Sequence, residues 1–195
     1  MYQVINFINK KNACIEYLVK RIKKNQIITI PGGRSSEIVL KILNNKIKEN
    51  KTIFLTDERI GVPSSNRNEK ILLKYMNLKR NHNYIKFSLF LDNKIFNENL
   101  LSFLGFGNDG HFASIFPEVK NINLKKKNLQ HIFYKNNPFP YRATLTLNFF
   151  KKSNEIIFLK KSLNGIIKDE LNILYSKYFH LLESMYKKKI KIIFY

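Results

Sequence analysis

A chain of 195 residues, 44% apolar and 13% aromatic, is long enough to bury one substantial core and falls in the size range of a single domain, residues 1–195. Its one cysteine, Cys14, excludes an intrachain disulfide and a cysteine-based metal site, and suits a reducing interior. The 35 Lys and Arg against 14 Asp and Glu give a net charge of +21, a field that draws nucleic acid or phosphorylated metabolites. The lysines are scattered, which argues for compositional drift and against a dedicated nucleic-acid surface. Lysines also break every apolar stretch near the N-terminus, and no run approaches the roughly 20 apolar residues of a membrane span. A soluble, cytoplasmic protein with no membrane partner is expected; no feature of the sequence points to an oligomeric state.

Ile15, Leu18, Val19 and Ile22 recur at helical spacing and predict an amphipathic helix from Asn12 to Lys24. Ile27 to Ile30 predicts a buried strand, closed by Pro31, Gly32 and Gly33. A second helix is expected from about Ser35, whose hydroxyl can cap free amides, through Ile47. Thr52 to Thr56 predicts another buried strand, followed by a polar loop, DERIGVPSSN, and a helix beginning near Asn66. Ile85 to Leu91 and Leu100 to Leu104 are candidate strands, the second ending in GFGNDG, and Phe112 to Phe116 suggests a helical turn. Leu129 to Tyr134, Thr144 to Leu147 and Ile156 to Leu159 predict strands. A helix from about Gly165 to Tyr175 and a terminal strand, Ile190 to Phe194, complete the pattern.

Apolar strands alternating with amphipathic helices predict an α/β fold, a largely parallel sheet covered by helices on both faces. Such sheets bind ligands beyond the carboxyl ends of their strands. Three segments rich in glycine or polar residues fall there: PGGRSS, DERIGVPSSN and GFGNDGH.

In PGGRSS, Gly32 and Gly33 between a strand and a helix start allow a tight turn that presents amides to a phosphate, with Arg34 and Ser35 as further donors. The segment matches neither a Walker loop nor GxGxxG, so no nucleotide cofactor is implied. Asp57, Glu58 and Arg59 follow a buried strand: Arg59 suits a bidentate hold on phosphate or carboxylate, and Asp57 can orient a donor or a substrate hydroxyl. In LGFGNDGHFASIFP, three glycines free the backbone and Asp109 stands two residues before His111, near enough to orient its imidazole. A histidine there can take a proton from water and return it to a leaving oxygen. His82, His131 and His180 lack such a setting and are assigned structural roles.

PGGRSS, TDERIGVPSSN, LGFGNDGHFASIFP and YRATLTL resemble, in order, the four signature segments of the 6-phosphogluconolactonase family. Glucosamine-6-phosphate deaminases have a similar DGH segment, but their pattern carries a tyrosine where Arg59 stands. The resemblance implies a single-domain sandwich of modified Rossmann type and a cofactor-independent, metal-free hydrolysis of a phosphorylated sugar lactone. By that resemblance His111 is the general base, Asp109 and Asp57 support it, Gly32, Gly33 and Arg34 fall on the phosphate loop, and Arg59 and Arg142 hold substrate. The family also tends to place a lysine shortly after the strand ending at Leu159; the aligned position here reads Gly165 or Asn164, leaving Lys160, Lys161 and Lys168 as candidates to replace it. Two alternatives are an amino-sugar phosphate deaminase or isomerase and a degenerate, non-enzymatic basic binding protein.

Overall fold

Runs dense in β-branched and aromatic residues settle into strands that can be covered on both faces. The structure is a computed structural model that describes residues 2–75, 82–86, 99–120, 122–126, 128–162, 167, 171, 176–186, 188 and 190–195. In chain order its elements are β1 (Tyr2–Asn6), α1 (Lys11–Lys24), β2 (Ile27–Ile30), α2 (Glu37–Lys46), β3 (Thr52–Leu55), β4 (Asp57–Arg59), α3 (Asn68–Tyr75) and β5 (Asn83–Tyr84). There follow β6 (Leu100–Gly105), β7 (Leu129–Phe133), β8 (Tyr141–Leu145), α4 (Leu147–Phe150), β9 (Glu155–Lys160), α5 (Lys177–Met185) and β10 (Ile190–Phe194).

Seven strands form one sheet in the order β1-β10-β9-β6-β2-β3-β5, and every pairing is parallel. The mostly parallel α/β architecture expected from the sequence is therefore present. Its central strands are almost wholly buried, with Ile27, Ile28, Leu101, Phe103, Ile157 and Phe158 at 0–1% exposure. Phe158 meets Phe106, Phe112 and Phe179 of α5, so the chain's aromatic richness is spent on one continuous core. Helix α2 packs between α1 and α3. No helix among the described residues is long and apolar enough to cross a membrane.

Several details depart from the sequence expectations. The segment DER is not loop but strand β4, pairing antiparallel with β8 and making, with β7, a separate three-stranded sheet. The crossing occurs at Thr56: its N–H donates to Ile30 O on β2, and its carbonyl accepts from Leu145 N on β8. Strand β8 starts at Tyr141 and stops at Leu145, because the Thr146 hydroxyl accepts from Phe149 N and caps α4. Phe112 to Phe116 forms no helical turn; Phe112 and Ile115 make an isolated bridge around Ala113, whose φ of +50° breaks helical geometry. Ser35 caps nothing. Helix α2 begins after a 3₁₀ turn, Arg34–Ser36, in which Ser36 Oγ donates to Gly33 O at 2.6 Å. Strand β1, an edge strand with three of five residues exposed, and α5 were not anticipated. The end of the candidate strand at 87–91 and most of the candidate helix at 165–175 lie outside the described residues.

Candidate active site

Strand β2 delivers the first wall. After Ile30 the backbone turns through Gly33 at φ +74°, in the left-handed region that glycine tolerates. Gly32 is required for a different reason: a Cβ there would sit 2.3 Å from Asn68 Nδ2, so the first turn of α3 presses directly on this loop. Gly105, at the end of β6, meets Ser35 in the same way, a Cβ falling 2.4 Å from Ser35 Oγ. The Arg34 side chain lies outside the described atoms.

Strand β4 delivers the second wall. Asp57 is 5% exposed; its Oδ1 accepts from Thr56 Oγ1 at 3.2 Å, and its Oδ2 accepts from Ser114 Oγ at 2.7 Å and faces Arg142 Nη1 at 3.6 Å. Arg142 is tied further by Nε to Phe139 O and by Nη2 to Asn137 Oδ1, both at 2.8 Å. Burial pulls the Arg142 guanidinium below its ordinary pKa, Asp57 opposes that shift, and the nearby Arg59 adds to it. Arg59 and Arg142 are direct partners across β4 and β8. Like charges opposite each other destabilise a sheet; Asp57, against Arg142, offsets the repulsion, and Glu58 adds to that offset. Arg59 Nη1 donates to Asn66 O at 2.6 Å, its guanidinium lies 4.5 Å from the Phe139 ring centroid, and its buried Nε has no partner.

The segment after β6 delivers the third wall. Gly107 N donates to His111 O and Gly110 N to Gly107 O, folding GNDGH into a tight loop with Gly110 at φ +80°. The loop places the imidazole where a Cβ on Gly107 would be, 2.1 Å from His111 Cε1. His111 Nδ1 lies 2.5 Å from Asp109 Oδ1, which also accepts from His111 N. A carboxylate only accepts, so Nδ1 carries a proton, and in the neutral ring the lone pair lies on Nε2. Phe116 backs the ring at 4.7 Å between centroids and itself stacks on Tyr134.

These walls enclose a cavity of about 390 Å³ lined by Gly32, Gly33, Asp57, Arg59, His111 and Arg142 among others. Of the residues singled out from the sequence, Ser35 also lines it, and Asp109 stands behind His111. Among the described residues, larger hollows between α1 and α2 and at the amino ends of β9 and β10 contain none of these groups. Asn68, Asn137, Phe139 and Ala113 line the cavity, and Ser114 supports Asp57; none was singled out from the sequence. Only Asn68 and Asn137 had any visible signal, as carboxamides in polar loops, and such residues are abundant here. His82 bonds to Leu43 O and Lys51 N, and His180 pairs with Glu183, both away from the cavity. Lys160 is 9% exposed and its Nζ reaches Asn108 Oδ1, in the histidine loop, at 3.5 Å. Lys161 lines the groove between α1 and α2, while Asn164, Gly165 and Lys168 lie outside the described residues. Among the described residues, no three His, Cys, Asp or Glu side chains gather in a way that could hold a metal ion.

Comparison with known proteins gives a consistent picture. The sequence model of the family described as glucosamine-6-phosphate isomerases/6-phosphogluconolactonase matches residues 91–164. The 6-phosphogluconolactonase of Helicobacter pylori strain 26695 is 32% identical over 196 aligned positions, covering 86% of this chain and 83% of that protein. Its counterpart from strain J99 is 31% identical with the same coverage. Among solved structures, the 6-phosphogluconolactonase of Thermotoga maritima superposes with a TM-score of 0.71 at 20% identity, covering 100% of this chain and 98% of that one. That of Shewanella baltica does so with a TM-score of 0.77 at 17% identity, covering 100% and 97%. The structural likeness carries the fold and the Helicobacter relatives carry the kinship: this chain belongs to the 6-phosphogluconolactonase family.

Proposed function

We propose that the chain hydrolyses 6-phospho-D-glucono-1,5-lactone to 6-phospho-D-gluconate, the lactone step of the pentose phosphate pathway, in the cytoplasm and without a metal or other cofactor. The observation that carries the proposal is the single cavity shared by His111, the glycine pair, Arg59 and Arg142. His111 Nε2 takes a proton from water as the water oxygen adds to the lactone carbonyl carbon. The bond from that carbon to the ring oxygen then breaks, and the imidazolium returns the proton to the departing oxygen. Asp109 holds the tautomer and stabilises the transient imidazolium.

A lactone is an activated ester, so no covalent enzyme intermediate is required. Negative charge that develops on the carbonyl oxygen needs fixed donors, and the guanidinium groups of Arg59 and Arg142, which line the cavity, supply them. The amides of the loop after β2, beside the start of α2, suit the phosphate. Binding energy from that remote group can then hold the carbonyl carbon against the water. The test is a pH-controlled assay of lactone opening, read above the spontaneous rate and with chelator present. His111→Ala is expected to lower kcat by roughly 100- to 10,000-fold while leaving the folded state intact. An unchanged kcat removes His111 as the base.

A further inference from the structure

The one side chain of the DER segment outside the cavity lining is Glu58, yet it is the most heavily hydrogen-bonded carboxylate of the three-residue strand. It is 9% exposed. Its Oε1 accepts from Arg59 N and Asn68 N, both at 2.7 Å, and its Oε2 accepts from Glu69 N at 2.8 Å. Asn68 and Glu69 are the first residues of α3. A helix start leaves backbone N–H groups without partners, and a capping side chain normally supplies an acceptor from the residue just before. Here that residue is Arg67, which has no acceptor to offer. Glu58 does the work from ten residues upstream, with a charge that also suits the positive end of the helix.

What this cap holds in place is Asn68. The Asn68 side chain is 3% exposed, donates from Nδ2 to Asp57 O at 3.1 Å, lines the cavity and lies flat against Gly32. It is the contact through which α3, the DER strand and the glycine loop meet. We infer that Glu58 is a positioning residue for the phosphate end of the site: it fixes the start of α3 so that the Asn68 carboxamide sets the height of the Gly32–Gly33 loop. The inference rests on the lactonase function proposed above and assigns a residue that touches no substrate.

Glu58→Gln keeps the shape but replaces one acceptor oxygen with a donor, so at least one helix-start N–H loses its partner. A simple loss of stability would slow every substrate alike in proportion to the unfolded fraction. Loss of positioning acts on the phosphate. The experiment compares 6-phosphogluconolactone with glucono-δ-lactone, the same ring without phosphate, in wild type, Glu58→Gln and Gly32→Ala. In Glu58→Gln the ratio of kcat/KM for the two lactones is expected to fall about tenfold, through KM for the phosphorylated substrate, as for loss of one charge-assisted hydrogen bond. Gly32→Ala, whose new Cβ collides with Asn68, should shift the ratio in the same direction, and adding Asn68→Ala to it should recover part of the loss.

An unchanged ratio in Glu58→Gln, or a Gly32→Ala defect that Asn68→Ala does not relieve, overturns the inference. Should Glu58→Gln fail to fold, Glu58→Asp, which keeps the charge but shortens the reach to Asn68 N and Glu69 N, takes its place with the same expected fall in the ratio. Binding of inorganic phosphate, followed by its shift of Tm, reads the loop without turnover. Wild type that binds phosphate but opens neither lactone above background refutes the proposed function and leaves the positioning role to be judged on phosphate alone.

Discussion

The seven-stranded sheet and the three-stranded sheet share one chain but are held together by different means. The large sheet is parallel, its central strands are apolar on both faces, and its cohesion comes from burial of residues such as Phe103, Ile157 and Phe158. The small sheet is antiparallel and carries Asp57, Glu58, Arg59 and Arg142 in its strands, each engaged by a particular partner. The first sheet is a scaffold that tolerates many apolar sequences. The second is a charge arrangement that works only with its own partners in register. The contrast teaches that the cavity lies where cohesion by burial gives way to cohesion by pairing.

Lesions on the two sides should separate cleanly. Phe158→Ala, deep in the large sheet, is expected to cost about 3–5 kcal/mol of stability, with kcat per folded molecule changed far less than in Asp57→Asn, because its ring lies behind Phe106 of the cavity wall and not in the cavity. Denaturant unfolding alongside active-site-normalised kinetics measures both. A marked kcat loss in folded Phe158→Ala would break the division between scaffold and chemistry. Asp57→Asn, on the small sheet, reverses the pattern. It keeps the size of the side chain but takes from Arg142, which faces Arg59 across the two strands, its one carboxylate contact among the described residues. A fall in kcat/KM of roughly 100-fold is expected, with a smaller shift in the unfolding midpoint than that of Phe158→Ala.

The smallest effect belongs to Cys14, in α1 on the scaffold side. Burial raises its thiol from 9.0 to about 11. A group whose folded pKa is raised contributes stability below its unfolded value and loses it as pH climbs through the folded one. Wild type should therefore lose stability relative to Cys14→Ala between about pH 9 and 11, seen as a steeper decline in Tm. Parallel Tm curves for the two proteins would show that Cys14 ionises as readily in the fold as out of it.

The scaffold was the legible half because burial leaves a mark in composition. Ile27–Ile30 and Ile190–Phe194 coincide with predicted strands residue for residue, and α1 differs from its prediction only at Asn12 against Lys11. The polar strand Asp57–Arg59 left no such mark, since its pairing with β8 is decided by a segment more than 80 residues away. The glycines, His111, Asp57 and Arg59 could be singled out by type and place, and Arg142 through the family resemblance, whereas Asn68 and Ser114 could not. Their importance lies in what they touch, Gly32 and the Asp57 carboxylate, and contacts across the fold are not written in local spacing. Edge strand β1 escaped for a simpler reason: with three of its five residues exposed it lacks the apolar run that marks a buried strand.

Thr56 has a mechanical consequence. Its N–H closes the ladder of one sheet and its carbonyl opens the ladder of the other, so the two peptide planes that flank a single Cα are each clamped to a different sheet. Sliding of the two layers past each other would rupture one of those bonds, which makes this joint a rivet and not a hinge. The turn at 134–140 supplies the facing rim of the cavity, and the Arg142 side chain ties it to the small sheet through Phe139 O and Asn137 Oδ1. One guanidinium thus lines the cavity and also fastens its rim.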